Sequence, residues 1–177
     1  MSAIRVLIRS LWYAARFAGR PIHAHPSSVI SARSILRANG GGSISIGAHC
    51  EIHDFAMILS YGGHIKIGDH CSINPFSIVY GQGGVEIGTG VRIAAHSVII
   101  PANHIRGDDE VPSYRRGFTA KGIRIGDDVW IGSGCRILDG VTIGRHAVIG
   151  AGSVVVQSIA DNVTAVGVPA RPVDKKP

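Results

Sequence analysis

The chain has 177 residues, with 18 Lys and Arg against 12 Asp and Glu, a formal net charge of +6 and a pI of about 9.7. That length fits one domain with room for a core, and the basic balance suits an anionic ligand or surface without naming one. No run of about eighteen apolar residues is present, which argues against a membrane-spanning helix. The arginine-broken start "MSAIRVLIRSLWYAARFAGR" lacks a signal-peptide core, so a cytoplasmic protein is expected.

Residues 1–27 read as a helix and a lead-in. At about 100° per residue, Arg5, Arg9, Arg16 and Arg20 fall within a stripe roughly 60° wide, while Ile4, Leu7, Ile8, Leu11, Ala14, Ala15 and Ala18 cover the opposite face. This pattern predicts a strongly amphipathic helix.

From Ile46 onward the period changes to six. Ile or Val recurs at Ile46, Ile52 and Ile58, then Ile67, Ile73 and Val79, then Ile87, Ile93 and Ile99, and from Ile125 through Ile131, Ile137, Ile143 and Ile149 to Val155. Gly often follows, and the fifth place of each hexad is small or β-branched. A helix would need a spacing near 3.6 and would not tolerate so many glycines. The period instead predicts an all-β parallel solenoid, with three short strands per coil and a branched side chain pointing inward from each. Cys50, Cys71 and Cys135 all fall in fifth places and read as small interior residues rather than as a disulfide or a nucleophile.

The hexads, and above all "IGDDVWIGSGCRILDGVTIGRHAVIGAGSVVV" followed by "VGVPARPV", resemble the hexapeptide-repeat acetyltransferases, over about Ser28 to Val173. The resemblance implies a left-handed parallel β-helix over residues 28–173, where the general rule for parallel crossovers would give a right hand. A tail, 174–177, follows. It also implies a homotrimer with active sites between subunits, acetyl-CoA as co-substrate and no metal. The amphipathic helix is then read first as a cap on the open end of the solenoid. The second reading is peripheral contact with an anionic inner membrane face, where a lipid-linked glycan would be waiting.

Between Ile99 and Ile125 the rhythm stops. The segment "PANHIRGDDEVPSYRRGFTAKG", residues 101–122, is an excursion from the coil, and long loops in compact folds are often functional. In related sugar and xenobiotic acetyltransferases a histidine stands where the chain leaves the coil and acts as general base, which by resemblance is His104. An imidazole suits removal of a hydroxyl proton near neutral pH. His96, in "AAHSV", follows the regular repeat and reads as a coil-surface residue.

On the donor side the same resemblance places Trp130 beside the acyl-pantetheine arm and the backbone N–H of Ser133 at the thioester oxygen. It puts Ala151 against the pantetheine amides and Arg171 at the nucleotide phosphates. The family's Thr-Lys pair is Val156 and Gln157 here, so a phosphate-binding lysine is missing; Arg115, Arg116 and Lys121 compensate from the loop or form a solvated basic surface. The expected acceptor is a carbohydrate, through a hydroxyl of a sugar or glycan precursor as in polysaccharide O-acetyltransferases, with an amino sugar or antibiotic as variants and no nucleic acid. Two other classes stand beside this: a non-catalytic β-helix scaffold, and a γ-carbonic-anhydrase-like metalloenzyme. The latter family places two zinc-binding histidines five residues apart, and no pair among the 9 histidines has that separation.

Overall fold

The structure, a computed structural model, describes residues 3–107 and 110–173; the tail assigned to 174–177 lies outside the described residues. A helix, α1 (Ala3–Arg16), precedes short strands stacked into three parallel faces. The first face holds Ile22–Ala24, Ser43–Ile46, His64–Ile67, Val85–Ile87, Ile123–Ile125 and Thr142–Ile143. The second holds Val29–Ile30, Glu51–Ile52, Ser72–Ile73, Arg92–Ile93, Trp130–Ile131 and Val148–Ile149, and ends in an antiparallel hairpin, Thr164–Gly167 with Ala170–Val173. The third holds Ile35–Arg37, Met57–Leu59, Ile78–Tyr80, Val98–Ile100, Arg136–Leu138 and Val154–Val155. The first coil begins at Ile22, upstream of the boundary at residue 28 suggested by the repeat.

Every first-slot Ile or Val from Ile46 to Val155 is buried, with no more than 4% of its surface exposed. The fifth slots do more than fill space. Ser28 Oγ donates to the Gly47 carbonyl at 2.7 Å, Ser77 Oγ to Ala94 at 2.9 Å and Ser97 Oγ to Gly132 at 2.9 Å. The three cysteines repeat the contact, Cys50 Sγ to Gly68 at 3.0 Å, Cys71 Sγ to Gly88 at 3.0 Å and Cys135 Sγ to Gly150 at 3.2 Å. Each is a buried free thiol that satisfies a carbonyl of the next coil, and burial pushes the Cys135 thiol up from its ordinary range.

Coil lengths differ at one place. Ile22 pairs with Ile44, Ile44 with Ile65 and Ile65 with Val85, so successive coils take 22, 21 and 20 residues, whereas Arg124 to Thr142 takes 18. Three hexads account for 18, and the surplus falls at the corner between the third and first faces, in "ANGGG", "SYGG" and "GQGG". Glycine is required there by close stacking: a Cβ on Gly63 would stand 1.8 Å from the Gly81 carbonyl oxygen, and one on Gly122 2.5 Å from that of Gly83. The excursion at 101–122 leaves from this same corner.

The open end is capped by α1. Tyr13 and Phe17 are buried against the first coil, and the Tyr13 hydroxyl donates to the Ser28 carbonyl at 2.7 Å while accepting from the Ile30 N–H at 3.1 Å. Arg9 donates to the carbonyls of Ser27 and Ser28, and Arg16 to those of Ser31 and Ser34. The arginine-bearing face therefore turns inward and satisfies the carbonyls of the first coil.

Two glycine substitutions separate sterics from backbone strain. Gly63→Ala, with a neighbouring backbone in the way, is expected to cost about 3 kcal/mol or more. Gly41→Ala, at φ +80 with nothing within 4 Å of the added Cβ, should cost only about 1–2 kcal/mol, read by chemical denaturation of both variants. Equal losses would contradict the close-stacked corner.

Candidate active site

The chain leaves the coil after the strand Val98–Ile100. Pro101 is buried, and Asn103–His104 then forms a two-residue strand antiparallel to Phe118–Thr119, with His104 opposite Phe118. His104 is exposed, and among the described residues its ring has no hydrogen-bond or ion-pair partner. The base of the excursion is clamped by Asp139, which accepts from the backbone N–H of Lys121 at 2.7 Å and of Gly122 at 3.0 Å, and from Asn103 Nδ2 at 3.4 Å. One carboxylate thus ties the outgoing and returning strands to the next coil. The sequence marks Asp139-Gly140 as a turn but does not reveal this clamp.

His96 sits elsewhere, at the corner between the second and third faces. It has φ +62 and stacks on Phe76 with ring centroids 5.1 Å apart, and Phe76 stacks on Phe55 at 5.1 Å. Its role as a surface member of the repeat fits this position.

Above His96 the same corner column changes to glycine, Gly134 at φ +71 and Gly152 at φ +73. The nearest atoms to a Cβ on Gly134 are 4.0 Å away, and nothing lies within 4 Å of one on Gly152, so the corner is bare of side chains at these two levels. Ser133 and Ala151 lie along it, both exposed, and Gly152 N donates to the Ser133 carbonyl at 2.8 Å. Among the described residues the N–H groups of Ser133 and Ala151 meet no acceptor, which leaves them available to an incoming oxygen. Trp130 is 57% exposed on the adjoining second face, between Arg92 and Val148. Arg171 is exposed on the terminal hairpin, opposite Val166, and the hairpin is tied back to the corner by Gly167 N donating to Ser153 Oγ at 3.0 Å.

Trp130, Ser133, Ala151 and Arg171 therefore lie on the second face, its corner with the third and its terminal hairpin. His104 does not join them. It emerges at the other edge of the third face, and at about 3.3 Å per residue the stretch from His96 to Pro101 spans roughly 16 Å. Among the basic loop residues, Arg115 lies over the Tyr114 ring at 5.4 Å and Arg116 Nε donates to the Val111 carbonyl, while Lys121 approaches Gly140. Among the described residues no group of three or more His, Cys, Asp or Glu gathers as metal ligands, and no helix is long and apolar enough to cross a membrane.

Residues 122–157 match the family model described as bacterial transferase hexapeptide, six repeats. A segment of 92 residues, 49% of the chain, is 42% identical to galactoside O-acetyltransferase of Escherichia coli and covers 42% of that protein. The chain spans less than half the length of the curated relatives it matches. Among solved structures, AntD, an N-acyltransferase from Bacillus cereus in complex with dTDP-4-amino-4,6-dideoxyglucose and coenzyme A, superposes with a TM-score of 0.76 at 24% identity, covering 92% of this chain and 87% of that one. A hexapeptide-repeat-containing acetyltransferase from Vibrio cholerae superposes with a TM-score of 0.54 at 27% identity, covering 98% and 82%. The solenoid is accordingly a left-handed parallel β-helix, and the chain is similar to the hexapeptide-repeat transferases, whose family model it matches over residues 122–157.

Proposed function

We propose that the protein is an acetyl-CoA-dependent O-acetyltransferase that acts on a sugar or glycan-precursor hydroxyl, from sites completed between the copies of a homotrimer. His104 and the donor wall stand on opposite edges of the third face, the wall one and two coils beyond the strand from which His104 departs, and this carries the reading. That face is largely apolar on its outside: Met57, Ile78 and Val98 follow one another along one column, in which the exposed Arg136 separates Val98 from Val154, with Ile100 beside Leu138 in the next. The first face instead presents Ser45, Lys66, Glu86, Arg124 and Thr142 in register. Three copies with their third faces turned toward a common axis bury this surface and bring each His104 beside the donor wall of the next copy.

In that arrangement His104 takes the proton of the acceptor hydroxyl as its oxygen attacks the thioester carbonyl carbon. The carbonyl oxygen becomes an oxyanion facing the Ser133 N–H. Collapse breaks the carbon–sulfur bond, the acetyl stays on the acceptor, and the coenzyme A thiolate leaves and takes up the proton from the imidazolium. Trp130 and Ala151 hold the pantetheine, and Arg171 meets its phosphates. The hydroxyl acceptor is supported by the similarity to galactoside O-acetyltransferase. An amine acceptor is the second reading, supported by the fold shared with AntD. The two respond differently to loss of the base, because a neutral amine is already nucleophilic and a hydroxyl is not.

With a carbohydrate acceptor identified by thiol release, His104→Ala is expected to lower turnover by about two to four orders of magnitude, while acetyl-CoA affinity by calorimetry stays near the wild-type value. His96→Ala should be mild. Near-normal turnover in His104→Ala, or a larger loss in His96→Ala, would remove the assignment.

The shared site has its own test. His104→Ala and Ala151→Trp, each inactive alone, are unfolded together at equal amounts and refolded. Random mixing around a cyclic trimer should restore about a quarter of the wild-type rate, because that share of junctions pairs an intact base with an intact wall. A site confined to one chain would recover nothing.

A further inference from the structure

The capping helix is turned inside out relative to an ordinary surface helix. Arg9, Arg16 and Tyr13 face the solenoid, and the apolar stripe of the helix faces outward: Ile4 is 70% exposed, Leu7 61%, Ile8 61% and Leu11 64%. Ala14, Ala15 and Ala18 continue the exposed stripe, and Trp12, 39% exposed, flanks it with the Arg16 guanidinium 4.8 Å from its ring. The capping hydrogen bonds explain the inward face. They leave the outward one without a role.

The charge distribution identifies what covers it. The first fifty residues hold Arg5, Arg9, Arg16, Arg20, Arg33 and Arg37 and no Asp or Glu, so 12 Lys and Arg remain against 12 Asp and Glu in the rest of the chain. An excess equal to the whole net charge of +6 thus lies in residues 1–50, which are α1, the first coil and the start of the second, although Asp54 of the second coil pairs with Arg33 at 3.0 Å. Arg20 and Arg37 are exposed there, beside the apolar stripe. A second copy docked end to end would press two net-basic surfaces together, which like-charge repulsion opposes. A bilayer with anionic headgroups matches both features, since it takes apolar side chains into its interface and attracts the basic rim. Trp12 has the flat amphipathic ring that favours that depth.

We infer that the capped end docks on an anionic membrane surface, with Ile4, Leu7, Ile8 and Leu11 entering the interface and the solenoid standing away from it. This stands apart from the transfer chemistry and is read by binding alone. The protein should float with vesicles made of equal parts phosphatidylcholine and phosphatidylglycerol, and bind vesicles of phosphatidylcholine at least about tenfold more weakly. The double variant Leu7→Gln, Leu11→Gln should lose about tenfold or more in binding to the mixed vesicles, with unchanged melting temperature and assembly mass. In a Trp130→Phe background, Trp12 emission should shift to the blue on addition of mixed vesicles, which keeps the inference testable should the double variant fold poorly. It is overturned by absence of flotation with the mixed vesicles, by undiminished flotation of a folded double variant, by a Trp12 emission that ignores the vesicles, or by an end-to-end doubling of mass that the double variant abolishes.

Discussion

The narrow interior of the solenoid is the constraint on which the rest of the molecule depends. Each coil must send a branched side chain inward from every first slot and a small one from every fifth. The buried carbonyls beside the fifth slots must also be satisfied, which Ser28, Ser77 and Ser97 do by hydroxyl and the three cysteines by thiol. The faces therefore tolerate almost no variation in length. Irregularity is confined to the corner between the third and first faces, where glycines such as Gly63 and Gly122 stack without room for a Cβ.

The candidate chemistry follows from that confinement. An excursion of the chain can leave only at the tolerant corner, and His104 leaves there, anchored by the Asp139 clamp. The opposite edge of the third face has its own local history, a column that carries Phe55, Phe76 and His96 in the early coils and Gly134 and Gly152 in the later ones. The absence of side chains at those two levels leaves the corner beside Ser133 and Ala151 open. A single chain thus presents His104 on one edge and Ser133 with Ala151 on the other, with a largely apolar face between them. The same logic of satisfied edges governs the end of the stack, where Tyr13, Arg9 and Arg16 complete the carbonyls of the first coil and set the apolar side of α1 outward.

Much of this was legible in the sequence because the repeat is a packing rule written residue by residue. The slots named from the six-residue period are the buried ones, and Cys50, Cys71 and Cys135 are interior for the reason their positions gave. The loop was visible as missing slots, and His96 as a member of the column. The rest depended on three-dimensional neighbours that no local period encodes. The first coil, from Ile22 to Arg37, lacks the regular Ile spacing and was only partly assigned to the solenoid. The amphipathic pattern of α1 fixed two faces but not which one meets the first coil, because hydrogen bonds to open carbonyls outweigh apolar burial there. Asp139 holds the loop through backbone groups at Lys121 and Gly122, contacts in which one turn meets another from the preceding coil.

The central claim is that the site exists only where two copies meet. Light scattering and the rate of thiol release per chain, followed over one dilution series with saturating acetyl-CoA and acceptor, test it most directly. The rate per chain should fall in step with the loss of trimer and return on concentration. A monomer that keeps the full rate per chain would contradict the account.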